Sequence, residues 1–305
     1  MPSDTPATAS AAGPSGAQGV IHDIGYRHFD GQRGGRGYIR RSLFVDSLRG
    51  AYGLGRSGRS KVMPMLLLAV MCLPALAIVA ITAVTRATEL VAGYPSYLLS
   101  IQLVTSIFVA AQAPALVSRD LRFRVMALYL SRPLERVDYV LGKYGAMAAA
   151  LFVLTAAPLT IMFLGALVLG LPIGAQIPDY ARAVTGAAAL SLILAGFGMV
   201  VAAVTPRRGL AVAAVVTVLV VMSGVQGVAQ GIAIEEGVGD AAAYLGLLSP
   251  YTLVEGIQSS LLGAASPLPT PPGAAGAAAF GLAALLLVVG CFAALLLRYR
   301  SVSVT

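Results

Sequence analysis

Tryptophan is absent from this chain, cysteine and histidine occur twice each, and charged side chains make up only 11% of its 305 residues. Each scarcity excludes something. A water-soluble domain carries roughly 25% charged residues, so this composition lies outside the soluble globular range. Cys72 and Cys291 both sit inside apolar runs, where they read as small buried hydrophobes and not as a disulfide framework. No GxxxxGK[ST] segment occurs, since Gly142-Lys143 lacks the upstream glycine and the following hydroxyl. The chain therefore has no ATP-phosphate cradle of its own. Its apolar runs hold no Ser/His/Asp set, no HExxH and no paired carboxylates, which argues against an enzyme.

Apolar length is what the chain has in abundance: 58% of its residues are apolar and the mean hydropathy is +0.84. Within residues 62–297, six segments (62–84, 95–117, 144–170, 181–204, 210–232 and 274–297) each reach the ~20 residues that cross ~30 Å of hydrocarbon as a helix. Lipid offers backbone groups no partners, so helix is the only form such runs can take. The expected fold class is an all-α polytopic membrane protein with six transmembrane helices, kinked at Pro64, Pro74 and Pro158. Residues 1–19 lack the basic start and apolar centre of a secretory signal and read as a disordered tail. Residues 20–61 are basic and Gly-rich. There Phe44, Val45, Leu48 and Tyr52 recur at helical spacing, interrupted by Arg41, which predicts an amphipathic elbow helix on the membrane surface.

Charge placement predicts orientation. With six spans, only Arg86 and Arg182 of the 21 basic residues fall on the face opposite the N-terminus. The positive-inside rule then makes both termini cytoplasmic, with 298–305 as a cytoplasmic tail and 233–273 as an extracellular insert. The net charge of +8 becomes a topological device and an attraction to anionic lipid, so nucleic acid is not an expected partner.

The same rule places residues 118–143, "SRDLRFRVMALYLSRPLERVDYVLGK", in the cytoplasm. Leu121, Val125, Leu128 and Tyr129 follow helical spacing there, with Arg119, Asp120, Arg122 and Arg124 on the remaining faces. Arg132-Pro133 breaks that helix, and Pro133 suits the first turn of the next. Glu135 and Asp138 complement the new helix's dipole. The result is a stiff helical hairpin where four polar residues would have served as a connector.

This segment resembles the permease subunits of type-2 ATP-binding-cassette (ABC) exporters. "LSRPLERVDYVLGK" (130–143) looks like that family's signature in bacterial multi-gene exporters, and "IHDIGYRHFDGQRGGRGYIRRSLFVDSLRGAYGLGRSGRSK" (21–61) looks like one branch of it. The resemblance implies two permeases, identical or paralogous, paired in a bacterial plasma membrane. Each would contact a separate cytoplasmic ATPase through the hairpin between spans two and three, the coupling helix. ATP and Mg would be bound by that ATPase, leaving this chain non-catalytic and without a cofactor. The contact would centre on Arg119, Asp120, Arg122, Arg124, Arg132, Pro133 and Glu135. In the family spans two and five line the route, which puts Gln102, Gln112, Gln226 and Gln230 near a pathway or the dimer seam.

Smaller motifs have plainer readings beside them. Gln226 and Gln230 share a helical face, and interhelical hydrogen bonding explains polar residues in spans as well as a substrate lining does. Gly227 and Gly231 form a GxxxG step beside them. Gly53-Leu54-Gly55-Arg56-Ser57-Gly58 matches GxGxxG but lacks the strand a dinucleotide site requires, so it reads as a hinge. His22, Asp23, His28 and Asp30 could ligate a metal, though their spacing matches no common site and polar docking against the ATPase is preferred. In the insert, Ser249-Pro250 starts a short helix with Leu253, Ile257 and Leu261 on one face and Glu255, Gln258 and Ser259 set away from it. An ion-coupled secondary carrier or a non-transporting assembly protein are the alternatives. The carrier lacks its usual mid-membrane charges and inverted repeat here.

Overall fold

The computed structural model describes residues 34–55, 57–117, 134–205 and 207–301, and every regular element among them is helical. The α-helices are α1 (Arg36–Ala51), α2 (Gly58–Thr85), α3 (Tyr94–Ser100), α4 (Gln102–Leu116) and α5 (Arg136–Val168). There follow α6 (Ile173–Val204), α7 (Arg208–Glu235), α8 (Gly239–Tyr244), a 3-10 turn (Leu245–Leu248), α9 (Pro250–Ser260) and α10 (Gly273–Ser301). Five of these, α2, α5, α6, α7 and α10, are long and apolar enough to cross a membrane. Helices α2 and α5 run through Pro64, Pro74 and Pro158.

The expected span 95–117 departs from the simple picture. It is a bent pair, α3 and α4, turning by 54°. Counted as one span, the pair brings the total to six. Neither proline nor glycine marks the break at Ile101. Thr105 Oγ1 donates to the Gln102 carbonyl at 2.9 Å and lies 3.3 Å from that of Ile101, while Ser106 Oγ donates to Gln102 at 2.8 Å. Hydroxyls that capture carbonyls one turn back bend helices in this way.

Helix α6 is the axis of the bundle. Its apolar stretch is 61% buried, against 17% for α2 and 11% for α10. It packs against α3, α4, α5, α7, α9 and α10. Small residues allow the close approach: a Cβ on Gly198 would lie 2.3 Å from Val109 Cγ1 of α4. In lipid, where helices gain little from apolar burial, such backbone-to-side-chain fit is what holds neighbours together.

The two ends of the bundle differ in charge. Helix α1, the starts of α2, α5 and α7 and the end of α10 carry most of the described basic residues, and this is called the basic end below. The far end holds Glu89, Asp179, Glu235, Glu236, Asp240 and Glu255, with Arg86 and Arg182. At the basic end the first residues of the GxGxxG segment, Gly53 to Gly55, form a turn after α1. Gly53 has φ 67°, and a Cβ there would lie 2.4 Å from the Ser60 carbonyl oxygen, so the turn requires glycine.

Candidate functional site

Helix α5 begins at Arg136, three residues beyond Pro133, and not with proline in its first turn. A reciprocal capping box sets the start: Glu135 is the N-cap and Asp138 the N3 residue, each side chain reaching the other's backbone N–H. This satisfies two donors that the first turn leaves orphaned. The same carboxylates hold α1. Arg36 donates from Nη1 to Glu135 Oε1 at 2.6 Å and from Nε to Asp138 Oδ2 at 2.5 Å, and Arg40 Nη1 stands 3.9 Å from Asp138 Oδ1. Those hydrogen bonds, the Glu135 bond first, raise the Arg36 pKa further above its ordinary value.

The buried face of α1 is only partly the expected one: Tyr52 is buried and Leu48 packs on the core. Leu43, Ser47 and Ala51 are buried, whereas Val45 is 40% exposed. Gly142 on α5 decides this, because Leu43 settles over it with Cδ2 only 3.0 Å from where a Cβ would be. Below that contact, Tyr52 Oη donates to the Ala150 carbonyl at 2.8 Å. An open groove of about 400 Å³ along this seam is lined by Gly37, Arg40, Arg41, Phe44, Leu141 and Gly142.

One turn further into α5, Lys143 is buried with its amine 5.7 Å from the Tyr139 ring centroid. Tyr139 meets Tyr299 edge-on at 5.2 Å, and Arg298 Nε donates to the Ala203 carbonyl at 3.2 Å. The start of α5 is thus tied to α1 on one side and to the ends of α6 and α10 on the other. Of the expected coupling residues, Glu135 lies at this junction. Arg119, Asp120, Arg122, Arg124, Arg132 and Pro133 lie outside the described residues, as do His22, Asp23, His28 and Asp30.

The far end carries a second polar layer. Gln226 Nε2 donates to Gln230 Oε1 at 2.6 Å, and Gln230 Nε2 donates to the Ala242 carbonyl at 2.9 Å. Both glutamines are buried, so they tie α7 to α8 within the chain. Gln112 is buried on α4 and Gln102 half-buried at its bend. The hydroxyls of Thr105 and Ser106 reach the Tyr251 hydroxyl of α9 at 3.2 and 2.6 Å.

Helix α9 starts as expected, with Ser249 Oγ accepting from the Tyr251 N–H and proline at N1. Leu253 and Ile257 turn inward as an apolar face would, but the side set away from them is buried as well. Leu261 is 53% exposed, while Glu255 and Gln258 are 4% and 1% exposed. Helices α3, α6 and α10 enclose α9, so its polar side has no solvent to face. Burial pushes the Glu255 carboxyl up to about 7 from an ordinary 4.5. The missed signal was periodicity: Thr252, Glu255 and Ser259 recur at helical spacing and form a polar stripe of their own.

Among the described residues no cluster of His, Cys, Asp or Glu could hold a metal ion. The chain matches no family model, and no curated protein is significantly similar to it.

Proposed function

We propose that this chain is a membrane-spanning permease subunit of an ABC-type exporter. In this reading it converts ATP hydrolysis on a separate ATPase subunit into movement of a substrate across the membrane. The supporting observation is the position of the motif "LSRPLERVDYVLGK". Its second half is the first two turns of α5, capped and ion-paired to α1 through Glu135, Asp138 and Arg36. A force applied just before residue 134 would be delivered to α1 and α5 together, because capped and ion-paired helices move as one body.

The basic end is cytoplasmic in this proposal, by the charge asymmetry of the loops, and the membrane is a bacterial plasma membrane. A second permease, identical or paralogous, completes the unit. Gly224, Gly227 and Gly231 lie on an exposed stripe of α7 with nothing within 4 Å, a surface on which a partner helix could approach closely.

Co-purification tests the reading. Candidate ABC ATPases from the same genome are co-expressed with wild type and with a Pro133→Ala, Arg124→Glu variant of unchanged thermal stability. The expected result is capture by wild type and at least a roughly tenfold loss of capture by the variant. Undiminished capture shows that the hairpin is not the contact. Substrate movement driven by a proton gradient without ATP would replace the exporter with a secondary carrier.

A further inference from the structure

The far end contains an imbalance between hydrogen-bond donors and acceptors. Glu255 and Gln258 sit one turn apart on α9 and both line a cavity of about 10 Å³, walled otherwise by Pro95, Leu98, Leu99, Leu190, Tyr251 and Val254. The volume accommodates about one water molecule. Glu255 Oε1 and Gln258 Oε1 are both fully buried and neither has a hydrogen-bond partner. The orientation of the Gln258 amide is not free to change. Its Nε2 donates to the Arg182 carbonyl at 3.2 Å, so a flip would set oxygen against oxygen. Gly186 makes room for that bond, since a Cβ there would lie 2.0 Å from Nε2. The oxygen of Gln258 is therefore left at the cavity, in the company of a carboxyl.

Among the described residues no cation answers the carboxyl either. The elements packed on α9 are α3, α6, α10 and the 3-10 turn, and α4, which has no titratable side chain, reaches it through Thr105 and Ser106. From α3, Tyr94 Oη donates to Gln176 Oε1 and Tyr97 Oη to the Met71 carbonyl. From α6, Arg182 pairs with Asp179 at 2.8 Å, and the Tyr180 hydroxyl bonds that of Thr160. On α9 itself, the Tyr251 hydroxyl is taken by Thr105 and Ser106. The 3-10 turn has no titratable side chain, and those of α10 (Cys291, Arg298, Tyr299 and Arg300) lie toward the basic end. An unpaired buried carboxylate is costly, and the usual resolution is for the group to neutralise.

We propose that Glu255 and Gln258 form a proton-binding site at the far end of the bundle, in which the acid proton on Glu255 supplies the one donor that the cavity lacks. Loss of that proton leaves a charge among leucines and a second acceptor beside it, and α9 loosens from α3 and α6 as water enters. The elevated carboxyl pKa agrees with this geometry and sets the transition in the neutral range. The site stands whether or not an ATPase drives the protein.

The test needs only the full chain in lipid nanodiscs, without a partner. The infrared carbonyl band of protonated carboxyls is followed from about pH 5 to about pH 9 in wild type and in Glu255→Gln. Glutamine offers an N–H where the acid offers O–H, so the variant imitates the protonated state. The expected result is a band that loses half its intensity near neutral pH in wild type and is missing from E255Q. Amide exchange across 250–260, corrected for intrinsic base catalysis, is expected to rise about tenfold over the same range in wild type alone. A wild-type spectrum in which no carboxyl titrates above about pH 6 overturns the site without reference to any variant. A neutral-range band that survives Glu255→Gln also overturns it. So does a midpoint that moves with sodium or potassium concentration, which would show the cavity taking a metal cation.

Discussion

Replacing Asp138 with alanine removes one side chain that does two jobs. Its carboxylate caps the first turn of α5 by reaching back to the Glu135 N–H, and it accepts from Arg36. Losing the capping bond costs about 1 kcal/mol, and losing a negative charge in the first turn costs about 0.3–1 kcal/mol. Together these give about 1–2 kcal/mol, roughly a 5- to 30-fold shift toward the frayed first turn. The Arg36 contact acts in the same direction, but it is half exposed and screened by salt. The measurement is hydrogen–deuterium exchange of the full chain in detergent. Amides of residues 139–142 are expected to exchange about 5- to 30-fold faster in Asp138→Ala, with those of α6 unchanged. Raising salt from about 0.1 to about 1 M shortens the screening length from about 10 to about 3 Å. That change is expected to speed exchange in α1 of wild type more than in the variant, which keeps only the Arg36–Glu135 pair. Exchange at 139–142 within about twofold of wild type would refute the capping role and, with it, the rigid link between α1 and α5.

Other expectations are independent of that one. Tyr251→Phe removes the hydroxyl shared by Thr105 and Ser106 and is expected to destabilise by about 0.6–2 kcal/mol, read as a lower melting temperature in detergent. Gly186→Leu drives a side chain into the space held by Gln258 and is expected to cost about 1–3 kcal/mol or more. Gly227→Ala meets nothing within 4 Å and is expected to be neutral or up to about 1 kcal/mol stabilising in the isolated chain; a Gly227→Leu, Gly231→Leu double variant should weaken cysteine cross-linking between two copies. The Glu255 carboxyl, raised to about 7 from 4.5, binds a proton more tightly folded than unfolded. Its contribution is therefore complete below about pH 4.5 and lost as pH rises through about 7, by at most about 3 kcal/mol. In Glu255→Gln that slope should vanish from a pH series of melting temperatures.

The five long helices were legible because twenty apolar residues in a row admit one structure in lipid. The start of α5 was nearly so: Glu135 and Asp138 were read as charges suiting a helix dipole, and the reciprocal cap they form moved the start past Pro133. The bend at Ile101 was hidden because its cause is a pair of hydroxyls, Thr105 and Ser106, and not a proline or glycine. Gly142 chose the buried face of α1 from about 100 positions away, a pairing that local spacing does not carry. The burial of the polar side of α9 was missed for a physical reason. Sending polar residues outward assumes water outside, whereas a short helix enclosed by α3, α6 and α10 turns them inward and must find them partners.

The contact between Tyr139 and Tyr299 has a bearing on how the chain is made. The ring that closes over the head of α5 is contributed 160 positions later. While the ribosome is still producing that stretch, the earlier helices must wait in the bilayer with an open flank. Insertion and final assembly are therefore separate events in time, and any factor that shelters a half-built bundle has its opening during that interval.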